Sequence, residues 1–595
     1  MTERSKRLII AAAAFALGIT VGLSSVVIIK RNVKPLTVVK ASGIDSAVNY
    51  NSVYKVMKKF VPTVWDNITS KIRAYNGAKM SKYTNVTDES AEAYIDAADV
   101  DYSETNVQVQ GVDEADIVKT DGKYIYILKN EYKKDGITLD SVIKIVNITG
   151  EKPVQCKSIT LEGFCADDMY LSGKRLVIIG RESALINYRK ALNDDIAFSE
   201  NCSSAVFYDV SDPQEPKKSA ECAQSGSLSE TRLIDGKLYI ISNYYINTEK
   251  IEKDKPETFV PSVTAKNHSG AVNAGSICFY GNCSGPEYTV LSAYDIKDGK
   301  LLSTQSVLGG SYTVYASSKN IITASLSGGD GKLQVTRFSL NGGDITLEAA
   351  GELEGELLNQ FSIDEYKEHF RFVLTDNRGE YSSNSLVILD GNLKKTGAIS
   401  GIAEDERVYS VRFMGDTAYF VTFRQVDPLF SVDVSDPTSP KIIGSLKIPG
   451  FSNYLFPFGK GMLFGMGQNA DEKTGRSTGM KISMFDISDP SNVTECAKTD
   501  ISASYSEALY SHKATLINSG KNIIGFSAYG WQNNILYFIY AYENGELVKK
   551  AEINLPHSNT GCRGLYSGDK FYVVTPDVVY CFTLDGFKEL SVTEI

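Results

Sequence analysis

From residue 113 to the end of the chain, short apolar runs alternate with turn residues, and two patterns recur together. The first is a polar, mostly Gly-bearing turn opening an apolar and aromatic run. It reads DGKYIYIL at Asp121, SGKRLVIIG at Ser172, DGKLYIIS at Asp235, SKNIITAS at Ser318 and EHFRFVLT at Glu368. It continues as GDTAYFVT at Gly415, FGKGMLFGMG at Phe458, GKNIIGFS at Gly520 and GDKFYVV at Gly568. The second follows each of these as an apolar run closing on a turn: IVNITGE, FYDVSDP, AYDIKDG, RFSLNGG, VILDGN, SVDVSDP, MFDISDP, AYENGE and CFTLDG.

Runs of this length rich in β-branched and aromatic residues are strands. The Gly of the first pattern tolerates positive φ, so that pattern is a tight turn leading into a buried strand. In the Ser-Asp-Pro copies of the second, Pro cannot continue a ladder and Asp caps the turn. A further apolar run precedes each pair and another follows it, which makes four short strands per unit. Nine such units occur, each of roughly 50 residues, the size of a propeller blade. One unit cannot cover both of its faces, so neighbours must stack and the ring must close. The pattern predicts an all-β protein, a β-propeller of nine four-stranded blades, or eight if the irregular unit at Glu368 merges with a neighbour. ADIVK is expected as the first strand of unit one and KYIYIL as its second.

Ahead of the repeats, residues 8–29 form an uncharged apolar run between Arg4, Lys6, Arg7 and Lys30, Arg31. That length suits a membrane-spanning helix better than the apolar core of a signal peptide. The expected organisation is therefore a cytoplasmic tail and transmembrane signal anchor over 1–37, a linker with short helices over 38–105, and the propeller over 106–595. YNSVYKVMKKF and ESAEAYIDAAD are the helical stretches of the linker. This places the bulk of the chain outside the cytoplasm, tethered to the membrane.

Two long motifs carry a resemblance. NVQVQGVDEADIVKTDGKYIYIL and the stretch YSVRFMGDTAYFVTFRQVDPLFSVDVSDPTSPKIIGSLKIPGFSNYLFPFGKG over 409–461 resemble the secreted bacterial and archaeal β-propeller family distantly related to WD repeats. The resemblance extends over residues 105–595. It implies an exported, often membrane-tethered propeller, and it implies no reaction and no catalytic residue.

Composition narrows the function classes. With 62 basic against 72 acidic residues and a net charge of −10, no basic excess exists to neutralise a nucleic-acid backbone. Two Trp and four His leave no repeated Trp-docking motifs and no His-rich metal site. No sialidase box occurs, and no Gly-x-Ser-x-Gly nucleophile elbow stands at a strand-to-helix junction. Nine Cys without a C-x-x-C pair argue against zinc and thioredoxin chemistry, and Cys202/Cys222 and Cys278/Cys283 are candidate disulfides in an exported chain.

What remains is charge on strands expected to line the central axis: Asp113, Glu114, Asp116, Asp167, Asp168, Glu230, Arg232, Arg412, Glu507, His512 and Arg563. These groups either converge on a polar ligand or a hard cation such as calcium, or pair with one another around a wet channel. Arg424 and Asp427 in FRQVDP form a second candidate at a blade edge, with local pairing as the plain alternative. The functional expectation is an interaction scaffold at the cell surface for protein, peptide or glycan, the alternative being an exported hydrolase or lyase working at the channel mouth. Insertions over 181–204, 243–288 and 467–479 are expected on one face, the longest as a recognition loop.

Overall fold

In the computed structural model the described residues are 44–62, 101–133, 139–182, 202–280, 283, 285–326, 332–378, 381–423, 427–448, 450–470, 477–503, 505–530, 534–556 and 561–595. The expected anchor over 8–29 and the helical stretch ESAEAYIDAAD lie outside them. Among the described residues no helix is long and apolar enough to cross a membrane.

The nine units are nine sheets, six of four antiparallel strands and three in which a four-stranded antiparallel blade carries extra strands, one of them added in parallel. In chain order the blades cover residues 118–155, 164–225, 227–308, 313–354, 363–402, 407–448, 451–501, 515–555 and 563–594. Each copy of the first pattern is the turn between a blade's first and second strands, and each Ser-Asp-Pro turn joins a third to a fourth. The unit at Glu368 is a complete blade. Lys367 and Glu368 both take positive φ, 50° and 62°, the tight turn that suits a hairpin's twist.

Burial explains why the strands read as they do. The second strand of blade four, Asn320–Leu326, is buried over five consecutive residues because neighbouring blades cover both its faces. The outermost strand of blade seven, Thr494–Ile501, alternates between exposed and part-buried positions because only one face has a neighbour. Seams between blades are apolar. Phe464, Met466 and Met480 of blade seven meet Phe526 and Phe538 of blade eight. Val574, Val579 and Cys581 of blade nine meet Ile125, Ile127 and Val146 of blade one. Each such side chain contributes about 1.5–3 kcal/mol when fully buried.

That last seam closes the ring without exchange of a strand, because blades one and nine are each continuous in sequence. Polar contacts replace the exchange: Lys144 Nζ donates to the Ile595 carbonyl and to Asp577 Oδ1, both at 2.8 Å, and Gly568 N donates to the Asp101 carbonyl at 2.8 Å. Tyr102 bridges Ser567 and lies over Gly122, whose φ is +81° and where an added Cβ would meet the Tyr102 ring at 2.6 Å. Gly122→Ala is expected to lower stability by roughly 1–2 kcal/mol. A denaturant midpoint equal to that of the wild type would show that Tyr102 is not seated there.

Three expectations need correction. The insertion over 243–288 is no loose recognition loop. Its hairpin, Ser262–Ala265 with His268–Ala271, extends the outer edge of blade two, and its strand Ile277–Tyr280 lies along the outer strand of blade three. Phe259 and Val260 within it are buried, so deletion would open the sheet edges rather than leave folding intact. Residues 44–62 dock on the same structure. Ile44–Ser46 pairs with Cys278–Tyr280, and helix Tyr50–Met57 buries Val53, Val56 and Met57 with Tyr54 edge-on to Phe259 at 5.4 Å.

Neither candidate disulfide is formed. The strand register sets Cys202 opposite Ser225 and Cys222 opposite Ala205, too far apart to bond. Cys278 meets Ser46 Oγ, while the Cys283 thiol faces the Tyr280 carbonyl. Finally, Asp113, Glu114 and Asp116 do not belong to the first strand of blade one. That strand is Val118–Thr120, and Val112–Asp113 pairs instead with Leu233 and Ile234 of blade three.

Candidate functional site

The stretch 106–117 leaves the closure of blade nine and folds into the axis before blade one begins. Its sequence, NVQVQGVDEADI, alternates like a strand but is punctuated by Gly111 at φ +80°. It is held by blades all round the ring. Asn106 Nδ2 donates to the Thr515 carbonyl at 2.6 Å. Gln108 Nε2 reaches the carbonyls of Gln360 and Ile363 at 3.0 and 3.3 Å. Asp116 exchanges backbone hydrogen bonds with Met169, both at 3.1 Å. The segment is a plug.

Many of the charges selected from the sequence meet on this plug. Asp116 faces Arg563 from the first strand of blade nine, with Oδ1 at 3.0 Å from Nη2 and 3.1 Å from Nε. Arg563 Nη2 also reaches Glu507 Oε1 at 3.0 Å. Burial would lower the Arg563 guanidinium, but Asp116 and then Glu507 raise it well above its ordinary value. Glu114 is 2% exposed. It lies 3.1 Å from His512 Nε2 and 3.9 Å from Arg232 Nη2, and accepts from the Gln108 backbone N–H at 2.9 Å. Burial alone would raise its carboxyl, yet Arg232, His512 and Lys513 hold it well below the usual carboxylate range. Arg232 also pairs with Glu230 at 2.8 Å and donates to Gln360 Oε1 at 2.6 Å. Asp113 takes Lys119 at 2.9 Å and Asp168 takes Lys513 at 3.1 Å. Asp167 pairs with Arg181 at 2.9 Å on an exposed edge.

Arg232, Arg412 and Arg563 occupy first strands as expected. Glu507 and His512 do not; each opens a short 3₁₀ turn ahead of the first strand of blade eight, Thr515–Asn518. Arg424 lies outside the described residues. Asp427 begins the third strand of blade six, Asp427–Asp433, opposite Ile448 of the outermost strand and away from the axis.

Beside the plug a cavity of about 570 Å³ is lined by Asp113, Asp116, Lys119, Arg412, Lys513 and Arg563, with Phe456 and Tyr566 on its apolar side. Thr120, Leu171, Pro457 and Asn518, among its other lining residues, stand at or near the last positions of their axial strands, so the cavity lies toward the face that carries the first-to-second-strand turns. Sequence reasoning missed Lys119, Lys513, Gln108 and Gln360. Only Lys119 left a signal, a cation inside an otherwise apolar strand pattern. Among the described residues no group of three His, Cys, Asp or Glu side chains could hold a metal ion, because the nominated carboxylates turn to separate cations rather than to one centre.

Comparison with known proteins agrees with the architecture. A family model described as the beta propeller domain matches residues 102–587. An uncharacterized protein of Methanocaldococcus jannaschii is 28% identical over 547 residues, 79% of this chain and 80% of that one. An uncharacterized protein of Archaeoglobus fulgidus is 26% identical over 552 residues, 82% of this chain and 84% of its own length. Among solved structures, the acylaminoacyl peptidase of Pyrococcus horikoshii aligns with a TM-score of 0.29 at 12% identity, over 72% of this chain and 57% of that one. A likeness that distant says nothing about activity.

Proposed function

The chain belongs to the beta propeller domain family, and from that premise we propose that it is a membrane-anchored, extracytoplasmic interaction scaffold rather than a catalyst. The observation that carries this reading is the state of the axis. Asp116, Glu507, Glu114, Asp113 and Asp168 each stand within an ion pair. A general acid or base needs a proton to exchange at an accessible atom, and each of these carboxylates is already engaged by a cation. Asp113, Asp116 and Arg563 line the axial cavity as members of these same pairs.

Anchoring rests on residues 8–29, uncharged and flanked by basic residues on both sides. The full chain is expected to sediment with membranes and to resist extraction by high salt. A version starting at Val38, which keeps the docked segment 44–62, should remain in the supernatant. A natural soluble form that has lost residues 8–29 would show a cleaved signal instead. A hydrolase and lyase substrate panel separates scaffold from enzyme: no turnover is expected, and turnover abolished by changing an axial carboxylate would assign catalysis.

A further inference from the structure

Strand direction sorts the exposed aromatic side chains onto one face. Among the described residues the large, well-exposed aromatics are Tyr132, Tyr245, Tyr312, Tyr381 and Tyr505. Tyr132 and Tyr245 end second strands, Tyr381 precedes a third strand, and Tyr312 and Tyr505 precede first strands. All five therefore lie on the face of the second-to-third-strand connections, opposite the axial cavity, and they come from five blades.

At blade eight the face is built into a platform. Tyr505 stacks on Tyr510 with centroids 5.6 Å apart and planes at 21°, and packs on Tyr529 at 5.7 Å. The backbone beneath is fixed, since Tyr529 N donates to the Tyr505 carbonyl at 2.7 Å and Ser506 Oγ donates to the Ser527 carbonyl at 2.5 Å. Two residues from Tyr505, Glu507 is held by Arg563 through Oε1. A ring and an acid also meet where blade three adjoins blade four: Tyr312 Oη donates to Glu287 Oε2 at 3.2 Å, and Tyr312 is 71% exposed.

A planar ring beside a carboxylate is the chemistry that holds a sugar. The axial C–H face of a pyranose packs on the ring, and its hydroxyls donate to the carboxylate. Tyr provides this rigid amphipathic surface at little conformational cost. A protein partner would need one contiguous, water-excluding cluster, whereas these rings are spread over separate blades, as a chain of repeating sugars would require. The net charge of −10 disfavours an anionic polymer or an anionic lipid surface.

We infer that this face binds a neutral polysaccharide, with Tyr505, Tyr510 and Glu507 forming one subsite and Tyr312 with Glu287 another. The inference rests on the scaffold reading and gives that scaffold its ligand class. The test is affinity electrophoresis of the full chain, in mild detergent, through gels cast with mannan, dextran or hydroxyethyl cellulose, with heparin as the anionic control. Retardation by at least one neutral polymer and none by heparin is expected. Tyr505→Ala and Tyr312→Ala should each weaken it about tenfold, the loss of one stacked ring. Both rings are exposed, so the melting temperature should hold; if Tyr505→Ala fails to fold, Tyr312→Ala alone decides. No retardation by any of the three polymers, retardation by heparin alone, or retardation unchanged in the folded variants would overturn the assignment. So would retention of the version starting at Val38, which lacks residues 8–29, on phosphatidylcholine vesicles without retardation by polysaccharide, which would give the face to a lipid surface. A chain that binds polysaccharide but does not sediment with membranes would refute the anchor and leave this site intact.

Discussion

Asp116→Ala is expected to lower the stability of the folded chain by about 3–5 kcal/mol, because it leaves the Arg563 guanidinium buried with its principal counter-charge gone. Arg563 is 7% exposed. Glu507 would remain 3.0 Å from its Nη2, but that carboxylate is partly exposed and answers one nitrogen only. The plug would also loosen at its last anchored residue, since Asp116 Oδ1 accepts from the Ile117 backbone N–H at 2.8 Å. Asp116→Asn keeps that acceptor while removing the charge, so it should fall between wild type and Ala. Denaturant midpoints of the three proteins check the order. Equal midpoints would mean that the pair contributes nothing to the fold.

The second large effect concerns Glu114 and is read against pH. Its folded carboxyl is depressed below the ordinary value of 4.5, so the unfolded chain binds a proton more readily than the native one. The stability this contributes is fully present above pH 4.5 and is lost progressively as the pH falls below it. Glu114→Ala should therefore destabilise by about 3–5 kcal/mol at neutral pH, with Arg232 left short of a buried counter-charge. The same variant should show a flatter acid limb than wild type between roughly pH 4.5 and 2. Parallel acid limbs would place the pH dependence in other carboxylates.

The repeat was legible because propeller strands are short, bounded by turns and covered on both faces. The first-to-second-strand turns at Gly122, Gly173, Gly236, Gly415, Gly459 and Gly568 all take positive φ, the conformation that makes a Gly-bearing marker visible. The plug was not legible. NVQVQ alternates polar and apolar residues, which is the period of a strand, and its partners in space are Thr515 and Gln360, 409 and 252 residues away. Nothing local distinguishes a strand from a segment anchored by such distant partners. The charged residues were legible as a set, since charge on inward strands is unusual. Their partners were not, because Asp116 and Arg563 stand at opposite ends of the repeat array and meet only when blade nine closes on blade one.

The role of the insertion over 243–288 was hidden for a related reason. Its polar, Pro- and Gly-bearing composition is that of a surface loop, and much of it does lie at the surface. What the composition conceals is edge pairing, a backbone interaction that leaves little trace in side chains. Val263, buried opposite Gln224 of blade two, is the kind of residue that reveals it only once the register is known.

The claim on which the rest depends is that the axial charges hold a plug in place rather than await a ligand. A double-mutant cycle on Asp116 and Arg563, using Asp116→Ala, Arg563→Met and the pair, tests it directly. The predicted result is a coupling free energy of roughly 2 kcal/mol or more, with the double variant more stable than the single losses would sum to. Single losses that add within about 0.5 kcal/mol, together with a ligand-induced rise in wild-type melting temperature that both variants abolish, would contradict it and make the axis a binding site.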